Sequence, residues 1–404
     1  CHSVSANGQV MALSHGHNCN QTYKLSPSGG AATAIYTDNP TCPEGRHDDT
    51  FSFGGLTPNG DLLLTSASMP RDASAGKDFY PNIASVHDDT GERDSKLYDT
   101  ATGQVVTTKG FDAVHKALMP AFSPDGTRVA FTHYEAGAGH SLSTMTFDAA
   151  NREFGALSVL YNATTYGGDE YAGWPAFTPD IKSVVFQVGD RPDYSSWRGG
   201  SGQLFISDLS TKNEMPLYAL NGWKDKSTPY LASKSEARMS FEPTILPVAV
   251  GGYTWVVFTS RRSYGNMITS NGEGPDTPSA SDPSPKKLWV AAVDLHYAPM
   301  IDPSHPAFYL EGQDLVSGNM RGFWALEPCR STGASCESGS ECCEGFCRAV
   351  TEGDAGTSFQ CTTQAKITCA QEYEKCTTSA DCCDKDDGYE CINGHCAAPT
   401  PIVK

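Results

Sequence analysis

The chain has 404 residues, of which 39% are hydrophobic and 19% charged, and its formal net charge is −18. This length exceeds one ordinary compact domain, unless a repeat structure closes on itself. The acidic charge excludes nucleic acid as a partner, because phosphate binding needs clustered Lys and Arg and the sequence has no basic run. No apolar stretch reaches the ~18 residues of a membrane span.

A short sequence motif recurs along residues 1–328. It starts with a tight turn of Pro, Asn or Asp, and Gly, and continues with an apolar run that predicts a buried strand. The five copies begin at Ser5, Thr57, Phe122, Phe177 and Pro243. The fourth copy has Ile181 where Gly is expected, and the fifth is degraded.

Several copies continue into another strand that ends at an aspartate, as at Asp99, Asp208 and Asp294. Repeats built from strands alone at this spacing indicate the blades of a β-propeller. Five copies are visible, and residues Phe308 to Leu326 would complete a sixth. We therefore predict an all-β fold: a β-propeller of five to six blades, with six favoured, followed by two small disulfide-rich modules.

The copy from Phe122 to Phe131 resembles the repeat of bacterial TolB-like propellers, and the resemblance covers roughly residues 3–328. It implies a ring of blades with binding at the loops of one face. Two long polar connections, Met69–Arg93 and Asn266–Pro285, are candidates for such loops.

Four residues beside the second connection form a candidate ligand face. They follow a predicted strand, and Arg and Tyr together suit recognition of a polar ligand. The four are Arg261, Arg262, Tyr264 and Asn266. A structural role at the end of a blade explains the same residues equally well.

The 15 cysteines are unevenly distributed: Cys1, Cys19 and Cys42 lie near the start, and all the others lie between Cys329 and Cys396. Dense cysteines in an acidic tail indicate disulfides, which persist in an oxidising compartment. The first residue is not Met, which fits removal of a leader peptide. We expect an exported protein, extracellular, on the cell surface or in the periplasm of a bacterium.

The tail contains two six-cysteine sets with identical first three gaps and an adjacent Cys-Cys pair at each centre. This pattern resembles the inhibitor cystine knot, or knottin. It divides the chain into a propeller (1–328), two modules (329–364 and 365–398) and a short end (399–404). The resemblance implies the pairs Cys329–Cys343, Cys336–Cys347, Cys342–Cys361, Cys369–Cys383, Cys376–Cys391 and Cys382–Cys396. Such bridges contribute ~2–4 kcal/mol each.

Two metal interpretations of the tail are weaker. Clustered cysteines also bind zinc, but the adjacent pairs and the expected export disfavour that reading. Asp384, Asp386 and Asp387, followed by Gly388, partly resemble a calcium loop but lack its full ligand spacing. A solvated acidic turn explains them better than a structural calcium ion.

Cys19 and Cys42 are predicted to pair, which leaves Cys1 to be explained. One explanation is a lipid on its sulfur, which would anchor the protein to a membrane. Another is a disulfide with a partner outside this sequence, or no special role at all.

A third explanation is c-type haem. Cys1-His2 resembles the end of a Cys-x-x-Cys-His site, with His2 as the proximal iron ligand. The candidates for the distal ligand are Met11, His15 and His17. His2, His15 and His17 together also suit zinc or copper, although loop histidines are common without a metal.

Catalytic signatures are weak, because the sequence contains no Gly-x-Ser-x-Gly, Walker or His-Glu-x-x-His motif. Asp48, Asp49, Asp169 and Glu170 could converge in the channel as a glycan-cleaving carboxylate pair. We predict a non-enzymatic exported or cell-surface binding protein that presents a propeller face to a protein or glycan, and oligomeric or fibrous assembly would suit it. The alternatives are an extracellular cytochrome that transfers electrons and a carboxylate-dependent glycan-active enzyme.

Overall fold

Short apolar runs between tight turns form antiparallel sheets of two to four strands in the computed structural model. Helical segments of the described chain are short: α1 (Tyr218–Asn221) and two 3-10 turns, Glu236–Arg238 and Ser379–Asp381. The structure describes residues 2–14, 20–26, 31–37, 51, 53–66, 94–112, 114–135, 139–163, 168, 170–190, 200–249, 252–264, 286–314, 317–324, 330, 332–337, 341–342, 347–351, 357–362, 369–370, 375–383 and 388–398.

Five sheets form the blades of a propeller, and each runs in chain order as an antiparallel meander. Blade one contains β1 (His2–Val4), β2 (Val10–Ser14), β3 (Asn20–Lys24) and β4 (Thr33–Thr37). Blade two contains β5 (Gly55–Leu56), β6 (Leu62–Leu64) and β7 (Leu97–Asp99), and blade three contains β8 (Ala117–Phe122), β9 (Arg128–His133), β10 (Ser141–Asp148) and β11 (Glu153–Asn162). Blade four contains β12 (Tyr171–Phe177), β13 (Ser183–Gly189), β14 (Gly202–Asp208) and β15 (Glu214–Pro216), and blade five contains β16 (Ser240–Ile245), β17 (Tyr253–Ser260), β18 (Lys287–Asp294) and β19 (Phe308–Tyr309). The first strands contact one another from blade to blade and lie innermost.

The recurring motif forms a turn that is stabilised by hydrogen bonds from its own side chains. In blade three, Ser123 Oγ donates to Asp125 Oδ1 at 2.6 Å and accepts from the Arg128 amide at 3.0 Å. The Gly126 amide donates to the Ser123 carbonyl at 2.8 Å, with Gly126 at a positive φ. Ser5, Thr57 and Thr178 repeat the hydroxyl contacts in blades one, two and four. The spacing of the hydroxyl, Asn/Asp and Gly residues is therefore what fixes each turn.

The apolar core lies between neighbouring blades. Phe131 packs with Leu64 between blades two and three, and Phe258 packs with Leu204 between blades four and five; all four are fully buried. Sheets that stack radially can bury both faces in this way, which explains why the second strands are buried along most of their length.

The prediction of a sixth blade is wrong. Phe308–Tyr309 pairs with β18 as the outermost strand of blade five, and the described residues contain no sheet between blades five and one. Residues 319–324, which we call the closing segment, lie there instead. Trp324 Nε1 donates to the Thr244 carbonyl of blade five, and the Phe323 ring lies 5.0 Å from that of His2 in blade one. The ring thus closes through a single segment.

The C-terminal region contains two small units cross-linked by disulfides. The bridges of the described residues are Cys336–Cys347, Cys342–Cys361, Cys369–Cys383, Cys376–Cys391 and Cys382–Cys396, which are pairs that the knottin resemblance implied. Hairpins accompany them, β20 (Cys347–Thr351) with β21 (Thr357–Cys361) and β22 (Glu390–Ile392) with β23 (His395–Ala397). The predicted pairs Cys19–Cys42 and Cys329–Cys343 lie outside the described residues.

The second unit docks on blade five. Asn393 Nδ2 donates to the Pro247 carbonyl at 2.7 Å, and Ile392 packs with Leu295 in a small apolar cluster. His296 Nε2 lies 3.0 Å from Glu390 Oε2. A cavity of about 340 Å³ lies beside this contact, between blade four, the connection after β18, and Glu390. Polar and apolar contacts together hold the unit against the propeller.

Candidate functional site: the loop-bearing face and the axial funnel

The strand connections differ in length between the two ends of the ring. At one end of the ring, a five-residue turn joins the first, innermost strand to the second strand in each of blades one to four. These turns span residues 5–9, 57–61, 123–127 and 178–182. At the other end lie the connections over residues 65–96, 190–201, 217–239 and 261–286. We call these ends the turn face and the loop-bearing face. The described strands on either side of the two predicted binding loops begin or end at the loop-bearing face.

The inner strands share a bulge that sequence reasoning missed. Pairing shifts at one point in β8, β12 and β16, where a residue with positive φ precedes a proline: Met119, Trp174 and Glu242. Phe53 occupies the same position in blade two and precedes Gly54. A non-glycine residue in this region costs ~1–3 kcal/mol, so surrounding packing must hold it there.

These residues converge near the axis of the ring. The Phe53 and Trp174 rings meet edge to face at 5.1 Å, and Met119 packs in the same cluster. Glu242 is fully buried beside them. Arg321 of the closing segment also has a positive φ, and its guanidinium carbon lies 4.5 Å from the Trp174 ring centroid. We call this set the axial layer.

Next to the axial layer lies a funnel that the inner strands of all five blades line, and Arg321 is the member of the axial layer among its lining residues. The funnel has a volume of about 120 Å³, and its apolar lining includes Phe122, Phe177, Ile245 and Trp324. Arg321 is the charged side chain among the described lining residues. The funnel therefore combines apolar walls with one guanidinium.

The guanidinium of Arg321 has unusual surroundings. Its Nε and Nη1 atoms are buried and have no hydrogen-bond partner among the described residues. The rings of Trp174 and Phe323 lie 4.5 and 4.8 Å from its carbon atom. Burial lowers the pKa of Arg321 to about 10, and the negative charge of Glu242 opposes that shift. Arg321 remains cationic at neutral pH.

Arg262, predicted to face a ligand, is instead a structural residue. It is 1% exposed, and its guanidinium donates to Ser260 Oγ, the Leu220 carbonyl and Ser240 Oγ at 2.6–3.1 Å. Burial also lowers its pKa to about 10, while neighbouring Tyr230 and Glu236 oppose the shift. Arg261 is buried as well. The connection after β15 covers Arg262.

Tyr264 keeps the exposure expected of a ligand-contacting residue. It is 37% exposed at the loop-bearing face, stacks on Tyr309 at 4.9 Å and meets Trp289 edge to face at 5.8 Å. An exposed aromatic ring held by two others is a rigid contact surface. Asn266 lies outside the described residues.

The proposed haem ligands are only partly described. Burial, assisted by nearby positive charges that include Arg321, lowers the pKa of His2, which favours the neutral imidazole that metals bind. Met11 in β2 pairs with Val4 in β1, and it stands two residues before Leu13, which pairs with His2. Cys1, His15 and His17 lie outside the described residues, so haem, lipid and metal at this end stay predictions.

The described residues give no geometric support to the remaining metal and carboxylate hypotheses. The cysteine groups close enough to hold a metal, such as Cys336, Cys342 and Cys361, are disulfide-bonded and offer no thiolate. Of the four channel carboxylates, Glu170 alone is described, and it immediately precedes β12. The calcium-like aspartates lie outside the described residues.

Comparisons with known proteins give weak similarity only. No protein-family model and no curated protein matches the chain. TolB from Acinetobacter baumannii has 16% identity and a TM-score of 0.34 over 64% of this chain and 51% of that one. The periplasmic gluconolactonase of Pseudomonas aeruginosa has 9% identity and a TM-score of 0.35, over 80% and 71% of the two chains. This chain thus spans about half of that TolB, and scores this low carry no argument about function.

An oligogalacturonate lyase from Vibrio parahaemolyticus shows the same level of similarity, with 11% identity and a TM-score of 0.32 over 72% of this chain and 67% of that one. Within the described part of the chain, no helix has the length and hydropathy to cross a membrane. The disulfides indicate folding in an oxidising compartment.

Proposed function

We propose that this chain is an exported binding protein that contacts a protein or glycan partner through the loop-bearing face of its propeller. One observation carries the proposal: the longest connections between propeller strands, over residues 65–96, 217–239 and 261–286, leave the same end of the ring, whereas at the turn face the first and second strands of each blade are joined by turns of five to seven residues. Rigid scaffolds carry their binding residues on such loops. Tyr264 adds an exposed, immobilised aromatic ring at this face, which suits stacking on a sugar or packing on a protein.

The disulfide-bonded units support an extracellular role. Their bridges keep small units folded without a large apolar core, and the second unit is fixed to blade five near the turn face. The second unit is therefore attached at the end of the ring opposite the proposed binding face.

The test compares the two faces. Replacing residues 67–93, or residues 265–285, by Asn-Gly should weaken binding to a polysaccharide or surface protein about tenfold or more, measured by biolayer interferometry. Replacing the turn-face connection over residues 209–213 by Asn-Gly is the matched control and should leave affinity unchanged. Equal affinity of all three variants would refute the proposal. So would cleavage of a polysaccharide that stops on Glu170→Gln.

The N-terminal alternatives need a separate measurement. An intact mass and a visible spectrum of the purified natural protein distinguish the states of Cys1. A haem-sized mass increase with sharp reduced bands would indicate electron transfer, with His2 as a ligand. An acyl-sized increase would indicate membrane tethering, which is compatible with a binding role.

A further inference from the structure

We propose that the axial funnel is a second binding site, open at the turn face, for a small organic carboxylate with an apolar body. Its oxygens pair with the guanidinium of Arg321, and its apolar part lies against Phe122, Phe177 and Trp324. This site is separate from the loop-bearing face and does not depend on the function proposed there.

The first argument is the unmet hydrogen bonding of Arg321. A buried guanidinium normally donates most of its N–H groups, as Arg262 does in this same chain. The Nε and Nη1 atoms of Arg321 are also buried and donate to no described residue, although the Arg321 side chain as a whole is partly exposed. Leaving buried charged donors unpaired is unfavourable, and an anion is the partner that restores them.

The second argument is that the fold holds this side chain in place. The Arg321 amide donates to Thr259 Oγ1 at 2.9 Å, and the backbone has a φ of 49°. Trp174 and Phe323 pack against the guanidinium. Gly322 lies against β17 and β18, where an added Cβ would come within 3.2 Å of Val257. A donor group fixed in this way is preorganised for a ligand.

The third argument concerns the chemistry of the walls. The funnel is lined by prolines, aromatic rings and small residues, and the hydroxyls of Ser3 and Ser5 are already used within the fold. Inorganic anions need several donors, whereas this site offers one guanidinium and much apolar surface. The volume of about 120 Å³ matches roughly four waters at ~30 Å³ each, or a carboxylate joined to a ring.

Binding of phenylacetate and phenylacetamide, which differ only in the ionised group, tests the proposal by saturation-transfer NMR and calorimetry on the full chain. Phenylacetate should bind at least about tenfold more tightly than the amide. A peptide with a C-terminal Phe, as the free acid and as the amide, shows whether the site takes free acids or chain ends. Binding of either acid over its amide supports the proposal.

Two variants connect binding to the funnel. Arg321→Gln removes the charge, and Ala176→Leu fills the cavity while keeping Arg321; both should abolish phenylacetate binding. Arg238→Gln changes an exposed arginine and should not. Equal binding of acid and amide, binding of inorganic phosphate as tight as phenylacetate, retention in Ala176→Leu, or no binding of either acid would each overturn the proposal.

Discussion

His133 shows how burial sets the charge of a single side chain at the loop-bearing end of β9. Its Nδ1 lies 3.2 Å from Ser143 Oγ, and its Nε2 is 3.6 Å from Glu135 Oε2, too far for a hydrogen bond. Burial lowers the pKa of His133, and the carboxylate of Glu135 offsets only part of that shift. The neutral imidazole is therefore the form that the fold prefers.

This preference predicts a loss of stability in acid. Because the folded-state pKa is lower than the unfolded value of about 6.5, the unfolded chain binds the proton more readily. The contribution of His133 is complete above that value and is lost as the pH falls towards the folded-state pKa. Lowering the pH from about 7.5 to about 5.5 should reduce the melting temperature less in His133→Gln than in the wild type. His115→Gln, at an exposed position, is the control; identical pH profiles of all three would contradict the prediction.

At the scale of elements, the turn between the first and second strands determines each blade. Gly126 and Ile181 occupy the same turn position in blades three and four, with φ of 74° and 57°. Ile is β-branched, so blade four maintains a conformation that this residue disfavours. The turn nevertheless forms, since Thr178 makes the same hydroxyl contacts as Ser123. Side-chain hydrogen bonds and blade packing thus outweigh the local backbone preference.

Exchanging the two residues gives a matched pair of predictions. Gly126→Ile should lower the free energy of unfolding by about 1–2 kcal/mol, because it adds strain and places a Cβ 3.1 Å from Pro58 Cδ. Ile181→Gly should change it by less than about 1 kcal/mol, since relief of strain compensates for lost packing. Denaturant unfolding measures both. A larger loss for Ile181→Gly than for Gly126→Ile would show that packing, not φ, controls these turns.

The same scale explains what the sequence could and could not reveal. The turns and second strands were predictable, because hydroxyl, Asn or Asp, and Gly act within a few residues. The axial layer was not predictable, although part of its signal is present: Phe53, Met119 and Trp174 each stand four residues before the hydroxyl residue that begins the turn of their blade. That these positions meet on one axis is a property of the closed ring. The burial of Arg262 was also not predictable from the sequence, because residues that bury it, such as Leu220, belong to a distant connection.

At the scale of the whole molecule, the second disulfide-bonded unit and the propeller share an interface. Leu295 contributes to it from the propeller, packing with Ile392, while Asn393 and Glu390 add polar contacts to Pro247 and His296. The interface is small, so a single buried charge should disrupt it.

Leu295→Glu is therefore expected to release the second unit while leaving both parts folded. The change removes roughly 2 kcal/mol of apolar burial and adds an unpaired charge. Limited proteolysis should then cut between Cys361 and Cys369 faster than in the wild type, with the excised fragments remaining intact. Met300→Glu, at a 59% exposed position in the same connection, is the control. Unchanged cleavage in Leu295→Glu would mean that other contacts hold the unit.

The closing segment has a mechanical consequence. It is the last described part of the propeller before the C-terminal units, and it is held to blade five by isolated hydrogen bonds from Arg321, Trp324 and Thr244 rather than by a strand ladder. Once the second unit has been pulled off blade five, tension applied through the C-terminal units would reach this segment before any strand of the blades. It would detach one bond at a time, at low force, whereas shearing a four-stranded blade requires many bonds to break together. Pulling on the tail would therefore open the ring at the junction of blades five and one, withdraw Arg321 from the axis and leave the blades folded.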